Sequence, residues 1–449
     1  MPLLLRLTDR SRIETGRGKC ARERWARYSW TNGYGLRRKV EALPLVGGLA
    51  LHAAIEPILG YARDRHLVPS EDELVALATP AIDAFGDKIR RRGVELTGSE
   101  SDEGIAAFAD EQCALVAGLA WAFGLYELPM ILERGRVIEI EREDVYVLGC
   151  TCGLGDGVGT PEEHDSRECA GTGFQCRPDF LTDDVGNVLT YHDLKSTGWA
   201  NKQWADAWLY KIQVHAGALG ASARLERRVD QVVIHGLYKG QRRGQYNPET
   251  GKYDLNSGEK KQNSPFCYAY HRAPNPPLWD GGWDWDRPKG KGAREWEKTP
   301  TASYDGGHWA WIRQLPPEVI VAQLLTVGPF PLNPAMLEAF LRQTAEEEHR
   351  WYQVELDLYE ELGRCGNDWT APNYQALLDK LVPQSFDCLR FGKPCQLVDV
   401  CHRAPGWGEP LSHGYELRRP HHAPELEAAI AKGLILPEAV DEDEDAGED

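Results

Sequence analysis

The sequence has no apolar run approaching the ~20 residues that cross a bilayer, so no membrane partner is expected. Its opening, MPLLLRLTDRSR, is too short an apolar stretch for a secretory signal. The expected location is therefore cytoplasmic. Basic residues are in deficit: 51 Lys and Arg stand against 69 Asp and Glu, a net charge of −18. Taken over the whole surface, that balance counts against a polyanionic partner. The clustered cysteines lack the C-x2-C knuckle spacing. In a reducing compartment disulfides are also disfavoured, so the eleven cysteines read as metal or cluster ligands, or as buried thiols.

What is present is enough for a sizeable core. Of 449 residues, 42% are hydrophobic and 27% charged, which suits one large domain with insertions or two to three smaller ones. The charge is unevenly placed. Much acid sits in the C-terminal VDEDEDAGED, an expected disordered tail. Basic clusters occur at Arg22, Arg24 and Arg27, at Arg37 to Lys39, at Lys88 and Arg90 to Arg92, and at Lys239, Arg242 and Arg243. A local basic track is all that contact with phosphates requires. The expected organisation is a core over 1–240, a Gly/Pro/Trp-rich insertion over 241–312, a helical part over 313–405 and an extension over 406–449.

The stretch from Phe174 to Thr197, FQCRPDFLTDDVGNVLTYHDLKST, reads as a β-hairpin turning at Asp183 to Asn187. One strand, Phe174 to Leu181, would carry Asp179; the other would carry Asp193 and Lys195, two apart and so on one face. Two carboxylates and an ammonium gathered on one sheet face are costly to bury without a task. The carboxylates suit a hard divalent cation such as Mg²⁺. A lysine beside it can orient a water or balance phosphate charge. A solvated hairpin is the bland alternative.

Other elements frame this stretch. The segment from Lys19 suggests a short helix packing Trp25 and Tyr28, and VGGLALHAAIEPILGYARD an apolar helix bearing His52. Ser70 with Glu73 reads as a capping box for helices over 71–131. The alternation in RVIEIERED marks a strand, whose Glu141 and Glu143 are either near the site or plain exposed acids. After Lys195, Trp204, Trp208, Ile212 and Ala216 are spaced by four, as on one apolar helix face that also carries Gln213. VDQVVIHGLYKG is a further strand, and a long amphipathic helix is expected to start near Asn333 and end at Gly363. In 241–312, Trp279, Trp283, Trp285, Trp296, Trp309 and Trp311 either pack the insertion onto the core, the first choice, or stack on bases.

Two cysteine groups stand out. Cys150, Cys152, Cys169 and Cys176 lie in a Gly-rich stretch and could hold a structural Zn²⁺, or could be reduced thiols in a loop. Cys388, Cys395 and Cys401 form C-x6-C-x5-C, and Cys20 stands isolated far upstream. This placement resembles the iron–sulfur staple of RecB-family nucleases, which implies a 4Fe–4S cluster on these four thiolates, with zinc on the same four or isolated thiols as the alternatives.

The order Cys20, His52, Pro178-Asp179, Asp193-x-Lys195, Gln213, then Cys388, Cys395 and Cys401 resembles the PD-(D/E)XK nuclease superfamily. It is closest to RecB-like members with an iron–sulfur staple, the CRISPR-associated and AddB-type and phage exonucleases. The resemblance covers about residues 14 to 405 and excludes the Trp-rich insertion and the acidic tail. It implies an α/β fold: a restriction-endonuclease-like core, with a central mixed sheet flanked by helices, plus an iron–sulfur-stapled helical part. It also implies metal-dependent DNA hydrolysis with Mg²⁺ or Mn²⁺ on His52, Asp179, Asp193 and the Leu194 carbonyl. Lys195 would position the water or stabilise phosphate charge, and Gln213 would hold Lys195. In the family a tyrosine follows that glutamine by four residues; here the position is Gly217. DNA is the implied partner, with a helicase or recombination protein as a further one. A binding protein that keeps the fold without cutting, and a zinc-stabilised scaffold, are the alternatives.

Overall fold

The computed structural model describes residues 6–16, 20–30, 35–39, 43–97, 101–142, 144–148, 172–198, 202–208, 211–239, short pieces between 242 and 266, 307–384, 388–390 and 393–418. The chain opens with strand β1 (Arg6–Asp9), helices α1 (Arg10–Gly16) and α2 (Ala21–Tyr28), and strand β2 (Gly35–Arg38). A helical layer follows: α3 (Leu43–Arg65), α4 (Glu71–Arg92), the single turn α5 (Val94–Thr97) and α6 (Asp102–Ala122). Ser70 caps α4 as expected, accepting from Glu73 N while Glu73 reaches back to the Ser70 N–H. α6 continues through a π-helical turn, Phe123–Glu127, into α7 (Leu128–Arg134). Two segments, Leu45–Arg65 and Phe108–Arg134, are long and apolar enough to cross a membrane by length and composition, which corrects the expectation that no such run exists. Both contribute to the main hydrophobic core, alongside Leu74, Ile82 and Phe85 of α4.

The central sheet is mixed and five-stranded. It comprises β3 (Gly135–Ile140), β6 (Phe180–Asp184), β7 (Val188–Thr197), β8 (Gln231–Tyr238) and the strand Leu324–Pro331. β7 and β8 pair in parallel and the other neighbours antiparallel. Alternation along the strands feeds two cores. Phe180, Leu194 and Leu237 face the α3–α4–α6 layer, while Leu181, Leu189, Tyr191 and Ile234 face α8 (Lys202–Ala207) and α9 (Ile212–Arg224). The sheet is thus flanked by helices on both sides, as the sequence led us to expect. A buried polar chain ties its middle strands to the π-helical turn: Thr182 Oγ1 to His192 Nε2, His192 Nδ1 to His235 Nε2, and His235 Nδ1 to Glu127, each at 2.8 Å. Burial drives the His192 pKa well below the usual value.

Three expectations need correction. The strand expected over Phe174 to Leu181 is two strands. β5 (Thr172–Cys176) belongs to a separate sheet, between β1 and β4 (Asp144–Leu148), and β6 starts only at Phe180. Pro178 lies at the break, where a residue with no N–H and a fixed φ ends pairing. The single helix expected after Lys195 is also two, because Lys211 is extended (φ −76°, ψ 134°). Ahead of the break, Trp204 and Trp208 meet edge to face at 5.5 Å in the core shared with α9. Finally, the segment beyond Pro316 is not all helix, since Leu324–Pro331 joins the sheet as an edge strand.

A second packing centre joins the two ends of the described chain. Trp25, Trp30 and Leu36 pack with Trp351 and Leu358 of the long helix Pro334–Arg364 and with Trp369, Tyr374 and Leu378. β2 pairs with the strand Tyr415–Arg418. Arg24 and Glu348, both fully buried, form a two-pronged ion pair at 2.6 and 2.7 Å. Of the insertion, Trp309 and Trp311 pack on the helical layer and Phe266 is buried against Gly118; Trp279, Trp283, Trp285 and Trp296 lie outside the described residues.

Candidate active site and cysteine pocket

The site forms because β7 outruns β6. Their pairing ends at Phe180 with His192, whereas β7 continues to Thr197 with only β8 beside it. Beyond His192 the β6 side of β7 is an open notch. Asp179, in the bend ahead of β6, closes it with its side chain: Oδ2 accepts the Leu194 N–H at 2.5 Å. The N–H and C=O of one strand residue leave on the same side. The Leu194 carbonyl therefore also points into the notch, where Lys195 Nζ donates to it at 3.1 Å.

Asp193 and Lys195 share a face as expected, with Lys195 Nζ 3.0 Å from each Asp193 oxygen. Asp193 is fully buried and Asp179 6% exposed, so both carboxylates need partners to stay charged. Gln213, at the start of α9, donates to Asp193 Oδ1 at 2.7 Å, and Tyr191 donates to the same oxygen at 3.0 Å. Gln213 and Lys195 thus share one carboxylate oxygen.

His52 comes in from α3. Its Nδ1 lies 3.1 Å from Glu141 Oε1 and 3.6 Å from Asp179 Oδ1. Glu141 follows β3 in a left-handed conformation (φ +48°), its N–H donating to the Asp179 carbonyl at 2.8 Å. Its other oxygen is held by Arg177 at 2.9 Å. Burial opposes a charge on His52, yet Asp179 and Glu141 outweigh it and raise the pKa. Among the described residues, His52, Glu141 and Asp179 are the one group of three such side chains with ligand atoms all within 4.8 Å of one another. Asp193, an expected ligand, stands beside this group, linked to it through Leu194. Glu141 replaces it in the tight set, and Glu143 lies outside the described residues.

The four cysteines Cys20, Cys388, Cys395 and Cys401 line one pocket with Arg22, Glu23, Leu397 and Val398. Cys20 occupies the N-cap position of α2, and the Cys395 N–H donates to the Cys388 carbonyl at 2.7 Å. Burial, joined by the thiols of Cys20, Cys388 and Cys395, pushes Cys401 up to about 12 against the pull of Arg22. Four ligands at ~2.3 Å around one zinc would stand ~3.8 Å apart. No three of these thiols are gathered within 4.8 Å. Cys388 Sγ also meets His402 Nε2 at 3.1 Å. Of the other expected zinc ligands, Cys150, Cys152 and Cys169 lie outside the described residues. Cys176 is half-buried on β5 beside the cluster of Ile13, Phe174, Ala216 and Phe340.

Glu141, Tyr191 and Arg177 are the site residues that sequence reasoning left out or undecided. Tyr191 had a readable signal, since Tyr191, Asp193 and Lys195 alternate on one strand and must share a face. Glu141 had none beyond its proximity, because its contact with His52 depends on how α3 crosses the sheet. No protein-family model matches the chain, and no curated protein matches it.

Proposed function

We propose that the protein is a metal-dependent deoxyribonuclease of the PD-(D/E)XK type, RecB-like, that hydrolyses DNA phosphodiester bonds as an exonuclease in repair, recombination or phage DNA metabolism. The observation that carries this reading is the meeting of His52, Asp179, Asp193, Lys195 and Gln213, from four separate parts of the chain, around the free end of β7. The donor set of carboxylates, one backbone carbonyl and one imidazole fits Mg²⁺ or Mn²⁺, and the nitrogen tilts it toward a transition ion. Asp179, Asp193, His52 and the Leu194 carbonyl would hold the cation, with Glu141 as an added ligand. Bound there, it supplies a Lewis acid and a more acidic water. Asp193 and the Leu194 carbonyl hold the Lys195 ammonium at the notch, as a counter-charge for a phosphate oxygen. His52 binds a metal only as the neutral imidazole, so a cation there would compete with the proton that Asp179 and Glu141 favour.

The four-cysteine pocket offers the four thiolates that a 4Fe–4S cluster needs, with zinc on the same four as the alternative. Cluster bonds there would join α2 to the C-terminal part. Partner proteins of the helicase or recombination class follow from the same reading.

The test is cleavage of end-labelled single- and double-stranded DNA with Mg²⁺ or Mn²⁺, using protein purified without oxygen. Lys195→Ala and Asp193→Ala are expected to abolish cleavage and keep the fold; wild-type activity in either overturns the assignment. Metal-independent binding without cleavage would favour the silent binding protein. Four iron per chain supports the cluster, and zinc alone rejects it.

A further inference from the structure

Three donors converge on one oxygen of Asp193: Gln213 Nε2 at 2.7 Å, Lys195 Nζ at 3.0 Å and the Tyr191 hydroxyl at 3.0 Å. Lysine and glutamine reach it on flexible stems. Tyr191 differs, because its ring is 1% exposed and has two torsions, both set by packing against Leu189, Val214 and Ala218. The space for that ring comes from one residue. A Cβ at Gly217 would lie 2.9 Å from Tyr191 Cζ and 3.1 Å from its hydroxyl oxygen, closer than a side chain tolerates. Gly217 is one turn after Gln213, so α9 presents a donor and a notch on the same face, and the tyrosine lies in the notch.

We propose that Tyr191 is a positioning residue of this site: its hydroxyl fixes the rotation of the Asp193 carboxylate, and Gly217 is the opening in α9 that admits its ring. Its effect on cleavage rests on the hydrolytic reading above; its effect on Asp193 does not. An unheld carboxylate on a strand can turn about its terminal torsion, which is broad. With Oδ1 tied to α9 and to the Tyr191 ring, the second oxygen is left facing Lys195 at 3.0 Å. The arrangement also accounts for a glycine in the helix interior, where it costs helix stability.

The test uses the full chain with Asp-selective ¹³C labelling, and compares wild type, Tyr191→Phe, Gly217→Ala, Tyr191→Val and the Gly217→Ala/Tyr191→Val double variant. Phenylalanine keeps the ring in the notch and removes only the hydroxyl. Losing one hydrogen bond to a charged oxygen should raise the Asp193 carboxyl titration by about one to two pH units. The acid limb of the cleavage profile should move with it, and turnover should fall about tenfold. Gly217→Ala should act like Tyr191→Phe in the wild-type chain and add nothing once Tyr191 is valine, with thermal unfolding followed in parallel. An unmoved Asp193 titration in Tyr191→Phe overturns the proposal. So does a Gly217→Ala effect equal in both backgrounds. If no variant, wild type included, cleaves DNA, the hydrolytic reading fails, and the carboxyl titration still decides the role of Tyr191.

Discussion

A single lysine on the far side of β7 from Lys195 makes the cost of buried charge measurable. Lys239 follows β8 and donates to Ser196 Oγ at 2.9 Å, and burial lowers its pKa to about 8. Below pH 8 both folded and unfolded chains carry the proton, and the folded one bears the full desolvation penalty. Between 8 and the ordinary 10.5 the unfolded chain binds more protons, so stability rises with pH. Lys239→Met should therefore raise the unfolding midpoint at pH 7, with a gain that shrinks steadily from pH 8 to 10.5. Urea unfolding of both proteins across that range checks it, and a gain independent of pH would refute it. At this scale the sequence was informative where chemistry is local. Asp179, Asp193 and Lys195 stand out by their spacing, and Gln213 through the family resemblance. Glu141 did not, because a glutamate after a strand looks like any exposed acid until α3 brings His52 to within 3.1 Å of it.

Elements were legible to the extent that their own residues decide them. The capping box at Ser70, the asparagine cap of the long helix at Asn333 and the hairpin turn before Val188 are all set by side chains within a few positions. The strand Leu324–Pro331 was not, since it answers to a neighbour distant in sequence, the open edge of β8. The pairing of α2 with the long helix is of the same kind. Arg24 and Glu348 sit 324 residues apart, fully buried. Removing one partner strands a charge, so Arg24→Met or Glu348→Leu alone should cost about 3–5 kcal/mol, whereas both together should come close to neutral. Denaturant unfolding of the three variants measures this. Equal losses in single and double variants would mean that the pair is not what binds α2 to the helix.

Across the whole molecule, two packing centres coexist. One surrounds the central sheet; the other holds Trp25, Trp30, Trp369 and Trp407 between the two ends of the described chain, with the four cysteines at its side. Removal of the proposed cluster, by chelation or by Cys395→Ser, should loosen the second centre first. Tryptophan fluorescence and amide exchange in α2 and in Pro372–Leu381 should change before the sheet strands do; simultaneous loss in both would mean that they form one cooperative unit. That the cysteines would gather was legible from their number and placement. That buried Arg22 would pair with Asp379, and Asp379 with Arg403, was not, because charges 24 or more residues apart carry no local pattern that names a partner.

The arrangement of the second centre has a consequence for synthesis. Arg22 and Asp379 are 357 residues apart, and a ribosome adding about 5–20 residues each second needs roughly 20–70 s to make the second after the first. For that whole interval α2 exists with Trp25 and Arg24 lacking the surfaces that later bury them. The sheet can fold in the meantime, because β3, β6, β7 and β8 emerge within one stretch and the edge strand Leu324–Pro331 follows before Asp379. The four-thiol pocket cannot exist until Cys401 has been made, so anything that fills it must arrive after elongation has passed that residue, on a protein whose sheet has already had time to form.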